Sequence, residues 1–410
     1  MTMRLLGDII KLRKIVRVGI KRIAAGKRLY RAGVKVQYKP AVSGGRETRA
    51  VSDIFEYLKW RGDISFAEKR LSEIDSMILA MIVYVDFAAI FNGEGSYMCD
   101  AACGYCVGDE YKSVKLGLII PSKKINRLFC EAAKTRRFAN VLVSDYVSHT
   151  REDEVCQFAA ATFHLPGKRM VISYRGTDDS IVGWREDFCL SFSDEIPAQR
   201  MAVEYLEKIA KKYPDERIYL TGHSKGGNLS LYAATRASDE IKARLVKAYC
   251  HDGPGLSCRM ISSDEFQSIS RKAAIYLPQA SFIGTMFENG GKYTVVKSNA
   301  IGAVQHDPFS WELDGPAFVH LESLSDRGRK NEEQFRARVG AMTNEEKREF
   351  VNTFFEMVNS TGAKTLSDFS GKGIKKFALM IKNYTGLDKE KREIMLALLL
   401  RLFDIRKSNE

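Results

Sequence analysis

The sequence predicts an α/β fold in which a mostly parallel sheet is flanked by helices, with extra helices at the N- and C-terminal ends. Two observations predict it. Between residues 157 and 297, β-rich segments alternate with helical ones, as in chains of strand–helix–strand units. The chain also has 410 residues, 45% of them hydrophobic, which is enough for one large core with additional elements.

The elements follow in order along the chain. Residues 52–91 are largely helical in pattern, and 92–108 read as a glycine-rich loop. A turn at 165–168 joins two strands as a hairpin. Strands are predicted at 157–164, 170–174, 217–221, 245–250, 273–277 and 293–297, and helices at 198–210, after residue 224, and from 323 onward.

Positive charge is concentrated at the start of the chain. The formal net charge is +13, and residues 1–40 hold twelve Lys or Arg and one acid. Such a segment fits a solvated tail, an amphipathic helix on an anionic membrane surface, or a contact to nucleic acid, which is the least favoured of the three. We therefore predict a basic arm at 1–45, a main domain at 46–325 with 92–150 as a cap or variable insert, and a helical extension at 326–410.

The cysteine spacing and the length of the apolar segments indicate whether the protein binds a metal and where in the cell it is located. Cys99, Cys103 and Cys106 lie close together, but no second CxxC or histidine pair follows at zinc-finger spacing, so an ordinary loop is favoured and no metal or cofactor is predicted. No apolar stretch reaches the length of a membrane span, and no signal peptide is evident. These features predict a cytoplasmic protein with reduced thiols, peripheral to the membrane if the arm binds lipid.

One motif carries nucleophile chemistry. Gly222-His223-Ser224-Lys225-Gly226 fits G-x-S-x-G, with a predicted strand before it and a helix after it. A tight turn there would lift Ser224 Oγ above the sheet edge, and the backbone N–H of Lys225 would face the reacting carbonyl. The alternative is a glycine-rich turn whose hydroxyl merely caps a helix.

A serine nucleophile needs a base and an acid, which follow it in the order acid then histidine. His251, His306 and His320 are the downstream candidates, and His306 is favoured because it follows the last predicted strand.

For the acid, Asp252 follows a predicted strand directly, at the edge where a carboxylate could reach the base. Asp264 and Asp307 remain the alternatives, and Asp307 is hindered by being adjacent to the histidine. The oxyanion loop is expected after the hairpin, where Thr177 can offer a backbone N–H and a hydroxyl.

These motifs resemble those of class 3, fungal-type lipases in the α/β-hydrolase superfamily. The resemblance rests on Tyr174-Arg175-Gly176-Thr177, then Trp184 and Asp187, then the Ser224 motif. It is closer still to an uncharacterised bacterial family of lipase-like hydrolases, through runs such as 183–188, 252–255 and 305–311. The resemblance implies that Thr177 is the oxyanion donor and that Asp187, next to Trp184, holds its hydroxyl. Residues 276–281, where class 3 lipases carry the acid, contain none.

The predicted function is a serine hydrolase that cleaves carboxylic esters, including lipid esters, through an acyl-enzyme on Ser224. Transfer of the acyl group to an acceptor other than water would use the same residues. The alternative is a catalytically degenerate hydrolase fold that serves as a binding or membrane-surface module. The expected partners are a small-molecule or lipid ester and, through the arm, an anionic membrane surface.

Overall fold

The computed structural model describes residues 53–91, 95–105, 122–369, 379, 382–387 and 392. The predicted basic arm, Cys106 and most of the chain after residue 369 lie outside the described residues. No helix in the described ranges is both long and apolar enough to cross a membrane.

The described chain alternates helices with strands. The helices are α1 Ile54–Arg61, α2 Glu73–Ile82, α3 Met98–Tyr105, α4 Ser122–Ala133, α5 Ile181–Cys189, α6 Pro197–Lys212, α7 Lys225–Arg236, α8 Asp239–Arg244, α9 Cys258–Ile261, α10 Asp264–Ile269, α11 Asp326–Gly340 and α12 Asn344–Asn359. The strands are β1 Ser96–Tyr97, β2 Leu142–Arg151, β3 Cys156–Leu165, β4 Arg169–Tyr174, β5 Arg217–His223, β6 Leu245–His251, β7 Ala273–Pro278, β8 Thr294–Val296, β9 Leu313–Asp314, β10 Ala317–Phe318 and β11 His320–Leu321. Short 3₁₀ helices occupy Phe87–Ala89, Gly302–His306, Pro308–Ser310 and Leu366–Phe369.

A nine-stranded sheet forms the centre, in the order β1-β2-β3-β4-β5-β6-β7-β8-β11. Strands β4 to β8 are parallel to one another, whereas β1 to β3 and β11 add in antiparallel fashion at the two edges. Parallel strands can be joined only by crossover connections, and helices supply these between the strands from β4 to β7. The predicted α/β class, a parallel sheet flanked by helices, is confirmed.

Alternating side chains of the central strands build two cores, one on each face of the sheet. Tyr219 of β5 and Tyr249 of β6 belong to the core that α2 and α4 cover. Their neighbours Ile218, Leu220 and Ala248 belong to the core that α6 and α7 cover. Because successive strand residues point to opposite faces, each apolar strand is buried on both sides. Because both faces of the sheet are apolar, polar side chains can come together at the edge formed by the carboxyl ends of β5, β6 and β7.

The segment predicted as a cap contributes to the sheet itself. Strand β2 pairs with β3 along most of its length, and α4 packs into the first core. Sequence reasoning missed β2 because its alternation is broken by a bulge between Ser144 and Val147, where Asp145 has φ 53°.

Two further expectations differ from the structure. Residues 92–108 were expected to form a loop, whereas the described part of this range forms β1 and the helix Met98–Tyr105. The thiols were expected to be reduced, whereas Cys130 is disulfide-bonded. Among the described cysteines, the free ones include Cys99, Cys103 and the buried Cys250.

The predicted helices after residue 323 are present as α11 and α12. Phe350, Phe355 and Val358 of α12 form a third apolar cluster with Ile181 of α5. Phe188 of α5 packs against Phe355 with ring centroids 5.6 Å apart. The helix α12 is therefore anchored on α5, the helix that follows the predicted oxyanion loop.

Candidate active site

Ser224 lies at a strained turn between β5 and α7. Its backbone has φ 59° and ψ −131°, a conformation that non-glycine residues rarely adopt. A Cβ at Gly222 would lie 2.1 Å from the Gly226 carbonyl oxygen, and one at Gly226 would lie 2.1 Å from that of Tyr174. Only glycine fits these two positions, so the G-x-S-x-G pattern follows from the close approach of strand and helix.

His306 and Asp252 form a hydrogen-bonded pair. The Nδ1 atom of His306 lies 2.7 Å from Asp252 Oδ2, and both side chains are buried or nearly so. Asp252 directly follows β6, and its other oxygen accepts hydrogen bonds from Ser281 Oγ and from the backbone N–H of Gly284. The carboxylate is thereby fixed in orientation, and so is the imidazole that it holds.

The other candidate acids lie elsewhere. Asp307 is buried but caps the following turn through the Phe309 N–H, and its second oxygen is 3.4 Å from Lys124 Nζ. Burial raises the Asp307 pKa. Asp264 is exposed in the first turn of α10.

The side chains of the other candidate histidines contact α2, although the His251 backbone carbonyl accepts a hydrogen bond from the Ser224 N–H at 3.0 Å. His251 Nε2 lies 2.9 Å from Ser76 Oγ, and burial lowers the His251 pKa to about 3, so the ring is neutral. His320 is 3.0 Å from Glu73 Oε1. Of the three downstream histidines, the structure places His306 beside the elbow.

The elbow contacts His306 through His223. The His223 Nε2 donates to the backbone carbonyl oxygen of His306 at 2.9 Å, and the two rings are 4.5 Å apart between centroids. Ser224 follows His223 directly, so these contacts bring the elbow turn and the segment that carries His306 together. Within the described residues, Ser224 Oγ and His306 Nε2 form no hydrogen bond with each other. Such bonds are often long without substrate.

Thr177 is held by Asp187, and Lys225 follows the serine as the first residue of α7. Thr177 Oγ1 is 2.6 Å from Asp187 Oδ2, the contact that the resemblance implied. The backbone N–H of Lys225 makes no backbone hydrogen bond within the described residues, because it stands at the first position of α7. Burial raises the pKa of Asp187 to about 6, although the Lys225 ammonium and the Thr177 hydroxyl oppose the rise.

Trp184 serves packing. It lies against the third apolar cluster, and its Nε1 is buried without a hydrogen-bond partner in the described part of the chain. It touches neither the serine nor the imidazole by any described hydrogen bond.

Sequence reasoning missed a buried ion pair beneath the elbow. The Lys225 side chain is 1% exposed, and its Nζ donates to Glu186 Oε2 at 2.8 Å and to both the carbonyl and Oε1 oxygens of Gln157. Glu186 also accepts from the backbone N–H groups of Gln157 and Ala198. Burial lowers the Lys225 pKa, but Glu186 and Asp187 together with Asp178 outweigh burial and hold that pKa above its usual value.

A family model described as Mbeg1-like matches residues 132–356, more than half of the chain. The chain belongs to the Mbeg1-like family. Ser224, Asp252 and His306 of this Mbeg1-like chain all lie within the matched range. No curated protein matches it. No described group of three or more His, Cys, Asp or Glu is arranged to hold a metal ion.

Solved structures of lipases resemble this Mbeg1-like chain at low identity. The Rhizomucor miehei lipase in its propeptide complex is 16% identical over 44% of this chain and 68% of that one, with a TM-score of 0.31. The M37 lipase is 15% identical over 52% and 69%, with a TM-score of 0.34. The Lip2 lipase from Yarrowia lipolytica is 16% identical over 55% and 82%, with a TM-score of 0.30.

Proposed function

We propose that this protein is a serine hydrolase that cleaves carboxylic esters through an acyl-enzyme on Ser224. The observation that supports this most is the position of a strained serine beside a buried, hydrogen-bonded His306–Asp252 pair. A strained nucleophile backbone is kept only where the surroundings enforce it, and such strain is concentrated at functional sites.

The proposed mechanism uses each group at a stated atom. With Asp252 ionised, His306 carries its proton on Nδ1, which leaves Nε2 to accept the Ser224 hydroxyl proton. The Oγ–carbon bond then forms while the carbonyl π bond places its electrons on oxygen. That oxygen is stabilised by backbone N–H groups of Lys225 and Thr177. The carbonyl then re-forms as the bond from carbon to the alkoxide breaks, and His306 gives its Nε2 proton to the departing alkoxide. Water, deprotonated by His306, attacks the acyl carbon in the same way, the bond to Oγ breaks, Ser224 regains its proton and the acid is released. An acceptor other than water would instead leave with the acyl group.

The substrate class that we propose is a small-molecule or lipid ester. We also propose that the basic arm, which lies outside the described residues, binds an anionic membrane surface. A cytoplasmic location and membership of a bacterial family are further proposals. Nucleic acid is not proposed as a partner.

The direct test is covalent labelling with a fluorophosphonate probe. We expect the wild-type protein to react and the label to map to the peptide that contains Ser224. The Ser224→Ala variant and heat-denatured wild type should not react. Labelling that persists in Ser224→Ala would assign the nucleophile elsewhere. A wild type that never reacts yet binds anionic vesicles at low salt would favour the alternative, a degenerate fold used as a membrane-surface module. Deletion of residues 1–40 then shows whether the arm carries that binding.

A second prediction concerns how the contribution of the Thr177 hydroxyl to activity changes with pH. One hydroxyl has one hydrogen, so an ionised Asp187 engages it, whereas a protonated Asp187 donates and frees it for the substrate oxygen. Because the Asp187 pKa is raised to about 6, the acid form dominates below that pH.

We therefore expect Thr177→Val to lower kcat/KM by about 10²-fold at pH 5 and by several-fold less at pH 8. The measurement is the ratio of wild-type to variant kcat/KM for p-nitrophenyl butyrate at each pH. Thr177→Ser keeps the hydroxyl and should hold the ratio near one. If the ratio of wild-type to Thr177→Val kcat/KM did not change with pH, the Thr177 hydroxyl would not switch its partner from Asp187 to the substrate oxygen.

A further inference from the structure

Tyr84 carries a buried hydroxyl that has no partner in the described part of the chain. The residue is 1% exposed, and its Oη forms no hydrogen bond. Other buried tyrosines do pair their hydroxyls: Tyr57 with Asp75, Tyr174 with the Ala202 carbonyl, and Tyr205 with Thr162 and the Asp145 carbonyl. Because an unpaired buried hydroxyl is destabilising, its retention calls for a reason.

The position of this hydroxyl is defined by Gly176, the residue before Thr177. A Cβ at Gly176 would lie 2.3 Å from Tyr84 Oη, 2.5 Å from the His223 carbonyl oxygen and 3.2 Å from Ser224 Cβ. The phenol oxygen and the serine side chain therefore both lie close to Gly176, and this close packing admits only glycine there. The hydroxyl thus lies near both the nucleophile and the loop that we propose as the oxyanion loop.

The hydroxyl is suited to donate and not to accept a proton. Burial raises the Tyr84 pKa, so the hydroxyl is protonated at neutral pH. The Gly176 amide is near Oη, but the two do not meet hydrogen-bond geometry, and an amide would in any case supply a donor. The phenolic hydrogen is therefore left without an acceptor in the described structure.

We infer that Tyr84 is a further catalytic residue, whose Oη–H donates a hydrogen bond to the substrate oxygen held between Ser224 and the Thr177 loop. The inference rests on the proposed function and adds a donor to it. No proton moves in this contact: the Ser224 proton goes to His306, and the phenol stabilises the negative charge that develops on the former carbonyl oxygen. The unpaired hydroxyl of the free protein acquires its acceptor in the transition state, which is where a donor accelerates a reaction.

The test compares two Tyr→Phe variants, each of which removes one oxygen atom. For Tyr84→Phe we expect at least a tenfold loss in the rate of fluorophosphonate labelling and in kcat for p-nitrophenyl butyrate, with KM within twofold. Its Tm should be unchanged or higher, because no hydrogen bond is lost. For the control Tyr205→Phe, whose hydroxyl is paired, Tm should fall while the labelling rate stays within twofold of wild type.

The outcomes separate this inference from the proposed function. Wild type that labels at Ser224 while Tyr84→Phe labels equally fast would overturn the role of Tyr84 and leave the hydrolase in place. A clear fall in the Tm of Tyr84→Phe would also overturn it, since that result gives the hydroxyl a structural partner. Wild type that does not label at all would overturn both.

Discussion

Replacing Asp252 with asparagine should lower kcat for ester hydrolysis by about 10⁴-fold without unfolding the protein. Ser281 Oγ and the Gly284 N–H both donate to Asp252 Oδ1, so an asparagine would keep its oxygen there and turn its NH₂ toward His306. His306 Nδ1 would then have to accept, which moves its proton to Nε2. An Nε2 that carries a proton cannot take one from Ser224. The measurement is kcat for p-nitrophenyl butyrate, together with Tm to verify folding.

The matched controls are the two acids that sequence reasoning left open. Asp307→Asn and Asp264→Asn should each leave kcat within a few-fold of wild type. Asp307 interacts with Lys124 and the Phe309 N–H, and Asp264 is exposed on α10. If Asp307→Asn caused the larger loss, the acid would be Asp307 and the pairing of His306 with Asp252 would have no role in proton transfer.

The elbow could be predicted from sequence because its constraints are local. A Cβ at Gly222 would clash with the backbone of Gly226, only four residues away, whereas the clash at Gly226 is with Tyr174 at the end of β4. The order of strand, turn and helix is also visible as a change in hydrophobic period. Asp252 could be predicted for a similar reason, since a polar residue directly after a buried strand must emerge at the sheet edge.

Other parts of the site are formed by residues distant in sequence, and no local pattern signals them. Tyr84 follows α2, within an apolar run that indicates only a core segment, yet its hydroxyl lies close to Gly176 and near Ser224. The sequence indicates a role only for the backbone N–H of Lys225, because lysine side chains are almost never fully buried unless they are paired. Its burial depends on Glu186 and Gln157, which come from two other elements of the fold.

Lys225→Met should destabilise the protein by about 3–5 kcal/mol. The variant would leave Glu186 buried with two backbone N–H donors but no cation, in a site from which water is excluded. Isolated buried charge is costly, so the carboxyl would either take up a proton or open the packing around α5. The measurement is the free energy of unfolding from urea denaturation at neutral pH.

The double variant Lys225→Met/Glu186→Gln separates the charge effect from the packing effect. It removes both charges and keeps similar volumes, but the glutamine NH₂ must face one of the two backbone N–H groups that Glu186 accepts from, so the double variant should regain only part of the lost stability. The exposed pair Arg236–Glu265 is the control: both side chains are nearly half exposed, and Arg236→Met should cost less than about 1 kcal/mol.

If Lys225→Met cost no more than Arg236→Met, the ammonium would contribute no net stability. The position of the residue after Ser224 would then be set by Gly226 and the strand–helix contact alone. A large loss with recovery in the double variant would instead show that the turn carrying the nucleophile is held to α5, and through Asp187 to Thr177, by one buried charge pair.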